Sequence, residues 1–253
     1  MQKKQLKQVK KIAVTATILF IVIALAFFYY RRYCNRLHSF EDGGYALKYP
    51  VRGIDLSHHN PIIDWKEAAN EGISFAFIKA TEGSNHLDRN YPYNYKLARE
   101  NNIKVGSYHF YIFGSSGHQQ ARHFIKTAKC NSGDLIPAID VEHSPANKYP
   151  KDTAYMSVVI KELRILENEL YEHYGVHPIM YTNKECYKLY VKDYFPENPV
   201  WICDLHKEPS DAEIKNWVIW QFSHTGRILN IKENIDLNYF RYSYQDLIKY
   251  SLP

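Results

Sequence analysis

The chain has 253 residues, 15% of them aromatic, and a formal net charge of +5. This length needs no more than one large domain, and β/α barrels reach it as single units. Eight of the 32 Lys and Arg residues precede the first acidic residue, Glu41, which leaves 24 basic against 27 acidic residues in the remaining chain. Since that part is close to neutral, the composition excludes a basic nucleic-acid-binding face, and no nucleic-acid partner is expected.

The first 32 residues have the pattern of a membrane segment. Residues 1–11 contain five lysines and no acid, residues 12–30 are uncharged and mostly apolar, and Arg31 and Arg32 follow. At 1.5 Å per residue, the apolar stretch can cross a hydrocarbon core of about 30 Å. The lysines predict that residues 1–11 form a cytoplasmic tail and that the chain after residue 30 lies outside the membrane.

A cleaved signal peptide is the alternative interpretation of the same segment. Ala24-Leu25-Ala26 has the small-x-small form of a cleavage site. The hydrophobic run continues past it through residues 27–30, which favours an uncleaved, single-pass anchor. Cleavage would instead give a secreted protein, and both alternatives export the remaining chain.

The chain after the apolar segment divides into a linker and one domain. Residues 31–50 are charged, contain Gly43-Gly44 and lack sustained periodicity, which is typical of a linker. From Val51 onward, short apolar runs alternate with helix-like segments as in βα units, so residues 51–253 are predicted to form the domain. Helices are predicted at 65–70, 93–101, 119–129 and 153–174. Strands are predicted at 53–56, 75–80, 104–110, 135–141, 178–181, 200–203, 218–222 and 235–237. Eight strands with few late helices indicate an α/β fold, an irregular (β/α) TIM-like barrel.

Two carboxylates end the predicted buried strand at 135–141, which reads Leu-Ile-Pro-Ala-Ile-Asp-Val and is followed by Glu. Asp140 and Glu142 should project from one face, because side chains alternate along a strand. Functional side chains of β/α barrels gather at the carboxyl ends of strands, and this rule also selects Asp55 and Asp236. Mutual repulsion and partial burial should raise at least one pKa and leave a protonated acid beside ionised neighbours. Such a set suits cleavage of a glycosidic bond.

Histidines and cysteines give no sign of a metal or cofactor site. His58 and His59 would point apart in an extended strand, and no HExxH spacing is present. His109 alternates with a tyrosine and is expected to bond to a rim carboxylate or to the strand framework. No CxxC pair occurs, so free thiols are favoured, with a Cys186–Cys203 disulfide as the alternative in an oxidising compartment.

Eight short motifs occur in order along the chain: GIDLS (53–57), IDW (63–65), FIKATEG (77–83), GSYHF (106–110), AIDVE (138–142), YTN (181–183), WQFS (220–223) and IDLN (235–238). In this order they resemble glycoside hydrolase family 25, the Chalaropsis-type lysozymes (N-acetylmuramidases). Each motif alone is weak, but together they span residues 52–240, nearly the whole predicted domain.

The resemblance implies a modified β/α barrel that hydrolyses the β-1,4 bond between N-acetylmuramic acid and N-acetylglucosamine in peptidoglycan glycan strands. Glu142 matches the general acid of the family and Asp140 its partner carboxylate. Asp55 and Asp236 match the other two acids of the catalytic site. The residues expected to bind substrate are Tyr108, Tyr181, Trp201 and Gln221.

Two mechanisms and two other functions are compatible with these residues. In the preferred mechanism Glu142 protonates the glycosidic oxygen while the 2-acetamido oxygen of the substrate attacks the anomeric carbon, and Asp140 and Asp236 stabilise the resulting charge. Direct displacement by water, with inversion, is the alternative. The other functions are a non-catalytic peptidoglycan-binding barrel and a hydrolase of another N-acetylated glycan. Clustered acids that repel one another argue against the binding protein.

Overall fold

The structure is a computed structural model that describes residues 2–37, 44–150, 152–226 and 234–253. The chain separates into two compact units, Met1–Asp42 and Gly43–Pro253. The described residues of the first unit form one helix, α1 (Gln2–Leu37). Its segment Lys10–Tyr30 has a mean hydropathy of 2.6 and is, by length and composition, able to cross a membrane. The predicted apolar segment at 12–30 therefore lies within a single helix, and residues 38–43 of the predicted linker lie outside the described residues.

The second unit is a closed barrel of eight strands, which confirms the predicted fold class. In chain order the strands of this unit are β1 (Val51–Leu56), β2 (Ile73–Glu82), β3 (His86–Leu87), β4 (Lys104–Phe110), β5 (Leu135–Val141), β6 (Ile179–Asn183), β7 (Val200–Cys203), β8 (Trp217–Gly226) and β9 (Ile235–Phe240). Pairing follows the order β1-β9-β8-β7-β6-β5-β4-β2, and β1 pairs with β2 to close the barrel. The unpredicted β3 is a two-residue strand that pairs with the end of β2 outside this ring.

The last strand makes the barrel irregular. β9 runs antiparallel to both of its neighbours, β1 and β8, whereas the other barrel pairs are parallel. Residues 227–234 connect β8 to β9, and a parallel crossover needs a dozen or more residues. The short connection therefore returns the chain antiparallel, and the start of β9 lies at the same end of the barrel as the carboxyl ends of the parallel strands.

The long helices of the barrel unit all precede β6, and the helices after it are short, as predicted. They are α2 (Tyr45–Lys48), α3 (Trp65–Asn70), α4 (Tyr91–Glu100), α5 (Gly117–Thr127), α6 (Thr153–Tyr174), α7 (Lys184–Cys186), a π-helical turn (Tyr187–Val191) and α8 (Tyr244–Ile248). The bounds of α6 equal the predicted bounds because both ends carry local signals. The Asp152 side chain accepts from the Tyr155 backbone N–H, and Gly175 ends the helix with a φ of 72°.

Aromatic rings fill the barrel interior and require glycine opposite them. The interior cluster includes Phe75, Phe77, Tyr108, Tyr181 and Trp201. A Cβ atom on Gly106 would lie 2.2 Å from the Phe77 ring, and one on Gly53 would lie 2.2 Å from the Phe75 ring. The strands that carry Gly53 and Gly106 can therefore approach these rings only because glycine has no side chain.

Residues just before the barrel pack against it. Tyr45 contacts Trp220 edge to face with ring centroids 4.9 Å apart, and Tyr49 is buried beside Tyr239 with centroids 5.8 Å apart. The end of the predicted linker at 31–50 thus contributes aromatic contacts to the domain.

The cysteines of the described barrel are separate thiols. Cys186 is fully buried, and Cys203 is partly exposed with its sulfur 3.4 Å from His224 Nε2. The alternative of a Cys186–Cys203 disulfide is not realised in this structure.

Candidate active site

A cavity of about 380 Å³ lies at the end of the barrel where the parallel strands terminate. All four acids selected from the sequence line it: Asp55 at the end of β1, Asp140 and Glu142 at the end of β5, and Asp236 at the start of β9. The antiparallel direction of β9 is the reason that Asp236, at the beginning of its strand, reaches the same rim.

The acid pair at the end of β5 occupies an electrostatically costly position. Asp140 is 5% exposed, and its Oδ1 atom has no hydrogen-bond partner among the described residues. Burial first, and then repulsion from Glu142, raise the pKa of Asp140 well above its ordinary value. Burial first, and then the charge of Asp55, raise the pKa of Glu142 to about 7. Near neutral pH this pair therefore retains a proton that two free carboxylic acids would have lost.

Asp55 and Asp236 form a second pair on adjacent strands. They are register partners in the β1–β9 ladder, and Gln221 Nε2 donates to both, at 2.8 Å to Asp55 Oδ2 and 3.3 Å to Asp236 Oδ2. Asn238 Nδ2 also donates to Asp55 Oδ2, at 2.7 Å. Burial and then Asp236 raise the pKa of Asp55 to about 7, while the two amide donors act against this rise. Burial and then Glu142 raise the pKa of Asp236 to about 6.

Three of the four residues expected to bind substrate line the cavity. Tyr108 and Tyr181 contact Trp201 edge to face, with centroid distances of 6.5 and 4.6 Å. Trp201 donates from Nε1 to Asn238 Oδ1 at 2.7 Å, which holds the indole ring in the floor of the cavity. The fourth, Gln221, is fully buried, and its amide contacts the acids and the Tyr181 hydroxyl. Direct contact of Gln221 with substrate remains a prediction.

The sequence interpretation missed several polar residues of this site, and three of them contact its charged groups or aromatic rings. Lys79 and Glu82 of β2 line the cavity, and Asn238 of β9 joins Trp201 to Asp55. A signal for Lys79 was present, because a single lysine interrupts the apolar run Phe75–Ala80. Asn238 could also have been predicted, since it follows Asp236 by two residues and therefore shares its strand face.

The histidines differ in part from expectation. His58 and His59 were expected to point apart, but the chain turns there and their rings lie side by side, tilted by 39° with centroids 3.9 Å apart. That expectation was wrong because it assumed an extended strand. The side chain of His109 lies on the outer face of β4. It bonds to Thr81 Oγ1 at 2.7 Å and to Gln120 Oε1 at 3.1 Å, which makes it part of the strand framework. Within the ranges that the structure describes, no group of three or more His, Cys, Asp or Glu side chains is arranged to hold a metal ion.

The arrangement is that of an acid catalyst in a sugar-sized cleft. A carboxylic acid with a pKa near 7 can protonate a leaving oxygen at neutral pH, and neighbouring carboxylates can stabilise positive charge at a sugar carbon. Tyrosine and tryptophan rings beside these groups offer flat apolar faces and hydrogen bonds. Fold and site together define a β/α-barrel glycoside hydrolase.

Comparison with known proteins gives the family. Residues 54–231 match the profile of glycosyl hydrolases family 25, and the chain belongs to this family. It is 31% identical over 204 residues to the uncharacterised protein YegX of Escherichia coli K12, covering 79% of this chain and 72% of that one. It is 30% identical over 205 residues to Lysozyme M1 of Streptomyces globisporus, covering 75% and 67%. The structure of a family 25 glycosyl hydrolase from Bacillus anthracis superposes with a TM-score of 0.73 at 33% identity, covering 81% of this chain and 94% of that one.

Proposed function

We propose that the protein is an N-acetylmuramidase that hydrolyses the β-1,4 bond between N-acetylmuramic acid and N-acetylglucosamine in peptidoglycan. The observation that carries this proposal is Glu142, which lines the cavity and whose pKa is raised to about 7 by burial and by Asp55. It therefore holds a transferable proton in a cleft of sugar size. The name of the Streptomyces globisporus relative, a lysozyme, supports peptidoglycan as the substrate.

In the proposed first step, Glu142 gives its proton to the glycosidic oxygen as the bond to the anomeric carbon breaks. The 2-acetamido oxygen of the same sugar forms a bond to that carbon, so the substrate supplies its own nucleophile. Asp140, deeply buried beside Glu142, stabilises the positive charge that develops on the acetamido group. In the second step water attacks the anomeric carbon, the acetamido bond breaks, and the Glu142 carboxylate takes a proton from the water.

Asp55 and Asp236 complete the proposed catalytic set as a second source of negative potential. Gln221 and Asn238 hold Asp55 by two amide donors, and Gln221 also reaches Asp236. This fixed pair lies on the β1–β9 side of the cavity, opposite the end of β5 in the ring of strands. The charge at the sugar carbon would therefore be flanked by carboxyl groups from two sides.

We also propose that the apolar helix anchors the enzyme. Residues 1–11 would be cytoplasmic, residues 12–30 would span the membrane, residues 31–50 would form a linker, and residues 51–253 would act outside. The absence of charge across 12–30 and the lysines before it support this orientation. Fractionation of producing cells, with mass measurement of the N-terminus, tests it: full-length protein in the membrane fraction is expected, whereas a soluble product beginning near residue 27 would mean a cleaved signal peptide.

Reducing-end analysis of digested peptidoglycan tests the activity. The full chain, solubilised in detergent, is incubated with purified peptidoglycan, and the new ends are reduced with borohydride. Muramitol is expected. Glucosaminitol would mean cleavage of the opposite bond, release only from another N-acetylated glycan such as chitin would mean a different substrate, and no new ends from any glycan would mean a binding protein.

Two variants test the acid. Glu142→Gln should lower turnover by about 100- to 10,000-fold, the range that a general acid contributes. Glu197→Gln, at an exposed glutamate elsewhere on the barrel, is the matched control and should retain wild-type turnover. Near-normal activity of Glu142→Gln would show that another group is the acid. NMR of the first-formed anomer separates the two steps from direct displacement, since retention is expected and inversion would rule out the acetamido route.

A further inference from the structure

Lys79 is a buried cation in the wall of the cavity. It is 5% exposed, its Nζ lies 2.6 Å from Glu82 Oε2, and the same atom lies 4.5 Å from the centroid of the Phe110 ring. Among the described residues that line the cavity, Lys79 alone is a lysine or arginine. The lining acids number five: Asp55, Glu82, Asp140, Glu142 and Asp236.

A bulge in β2 brings Lys79 and Glu82 to the same side. Residues three apart on a regular strand point to opposite faces. Lys79 pairs with Tyr108 and Glu82 pairs with Phe110, but Ala80 has no partner because the register shifts between Lys79 and Thr81. Both side chains therefore face the cavity, and Glu82 can hold the lysine ammonium over the Phe110 ring. Bulges next to active sites commonly redirect a side chain in this way.

The ammonium is held beside the acid pair of β5. Glu82, Phe110 and Asp140 are consecutive register partners across β2, β4 and β5, so the ring under Lys79 is the neighbour of Asp140. The positive charge lowers the pKa of Asp140 and of Glu142 against the larger effect of burial. The other charged or titratable groups around Lys79 are Glu82 on its own strand, Tyr108 and His109 on β4, and His59 after β1.

We propose that Lys79 is a positioning residue that keeps Asp140 ionised beside a protonated Glu142, and that Glu82 fixes it in that place. Asp140 is the more deeply buried of the two acids, so the field of the cation is less screened there. Without the cation, the deeper burial of Asp140 would favour a proton there instead of on Glu142. This inference rests on the proposed function, in which the two groups need opposite protonation states.

The pH dependence of kcat/KM, measured on the detergent-solubilised full chain, tests the inference. Loss of the cation in Lys79→Met should raise the pKa of both acids, and more strongly that of Asp140. The acid limb of the profile, which Asp140 sets, should move to higher pH by about one unit, and the alkaline limb, which Glu142 sets, by less. Lys79→Arg should return both limbs toward their wild-type positions. Glu82→Gln keeps a side-chain oxygen that can accept from the Lys79 ammonium but removes the opposing negative charge. It should therefore move the acid limb, which Asp140 sets, the other way, to lower pH.

Lys104→Met is the matched control, because Lys104 is also a strand lysine but bonds to the Gly133 carbonyl oxygen outside the cavity. Both limbs of the pH profile of Lys104→Met should stay at their wild-type positions. If Lys79→Met raises KM while both limbs stay in place, Lys79 contacts the substrate and the inference is wrong.

Carboxyl ¹³C NMR titration of the substrate-free protein separates the inference from the proposed function. The Asp140 and Glu142 resonances should titrate at higher pH in Lys79→Met than in wild type, whatever bond the enzyme cleaves. Unchanged titration would overturn the inference even if muramitol is released. If Lys79→Met does not fold, Glu82→Gln provides the same test with the opposite expected direction.

Discussion

Asp55 and Asp236 face each other across the antiparallel β1–β9 pair, and one amide nitrogen of Gln221 donates to both carboxyl groups. The amide is oriented by its other end, because the Tyr181 hydroxyl donates to Gln221 Oε1 at 2.8 Å. Tyr181, a residue of the cavity wall, thereby orients the Gln221 amide that bridges the two mutually repelling acids.

Replacing this amide should disable the site more than it weakens the fold. In Gln221→Met both acids lose a donor, and we expect kcat/KM to fall by about 100-fold, a loss typical of small misplacements of catalytic groups. The free energy of unfolding should fall by about 1–3 kcal/mol because buried partners are left unpaired. Clearing of wall suspensions and thermal unfolding measure the two effects.

Gln120→Met is the control for that variant. Gln120 is also fully buried, but it bonds to His109 and to the backbone of Ile112 outside the barrel. The Gln120→Met variant should lose a similar amount of stability. Its kcat/KM should stay within about 3-fold of wild type, because distant sites with no shared partners act nearly independently. Equal losses of activity in both variants would mean that Gln221 acts only through stability.

Activity should decline as the pH rises above about 7. Glu142 must hold a proton to act as the acid, and its pKa is raised to about 7 by burial and by Asp55. On the acid side, activity should be lost when Asp140 protonates, and because burial raises the pKa of Asp140, that limb should lie above the ordinary carboxylate range. Measuring kcat/KM from pH 4 to 9 should give a bell. A profile that stays flat from pH 6 to 9 would contradict the assignment of Glu142.

Glu142→Gln should stabilise the barrel at alkaline pH. The pKa of Glu142 is about 7 in the folded protein against an ordinary value of 4.5, so between these values the folded state binds a proton that the unfolded chain has released. Stability therefore falls as the pH rises through this window, and the full loss is present above about 7. The neutral amide avoids a loss on the order of 3 kcal/mol.

Thermal unfolding at two pH values checks this expectation. The midpoint of Glu142→Gln should exceed that of wild type at pH 8, and the difference should narrow at pH 4, where the wild-type acid is protonated in both states. Glu197→Gln, at an exposed position, should not show this pH-dependent gain. A gain for Glu142→Gln that is equal at both pH values would indicate improved packing instead of removal of a buried charge.

Gly106→Ala should destabilise the barrel through the Phe77 ring. The added Cβ would lie 2.2 Å from a ring atom, in a core where Phe77 is fully buried. We expect a loss of about 1–3 kcal/mol or more, as for other overpacked cores. A double-mutant cycle with Phe77→Leu, followed by denaturant unfolding, should give a coupling of at least about 1 kcal/mol because the smaller side chain relieves the clash. Additive losses would show that the backbone, and not the ring, resists the alanine.

Local patterns were sufficient for much of the fold and for the central acids. Asp140 and Glu142 line one cavity because side chains alternate along any strand, whatever the strand pairs with. The predicted bounds of α6 agree with the structure, in which Asp152 caps the start of the helix and Gly175 ends it. The antiparallel β9 was not predicted, since strand direction depends on which neighbours the chain finds.

The sequence by itself determined the barrel class, the apolar N-terminal helix and the acids that meet at one rim, because each has a signal within a few residues. Only the tertiary structure decided how those acids are held. Gln221 reaches Asp55 across 166 positions of sequence, and Lys79 shares a face with Glu82 only because the register between β2 and β4 shifts at Ala80. Pairing between distant strands sets these contacts, and no local period of the sequence encodes them.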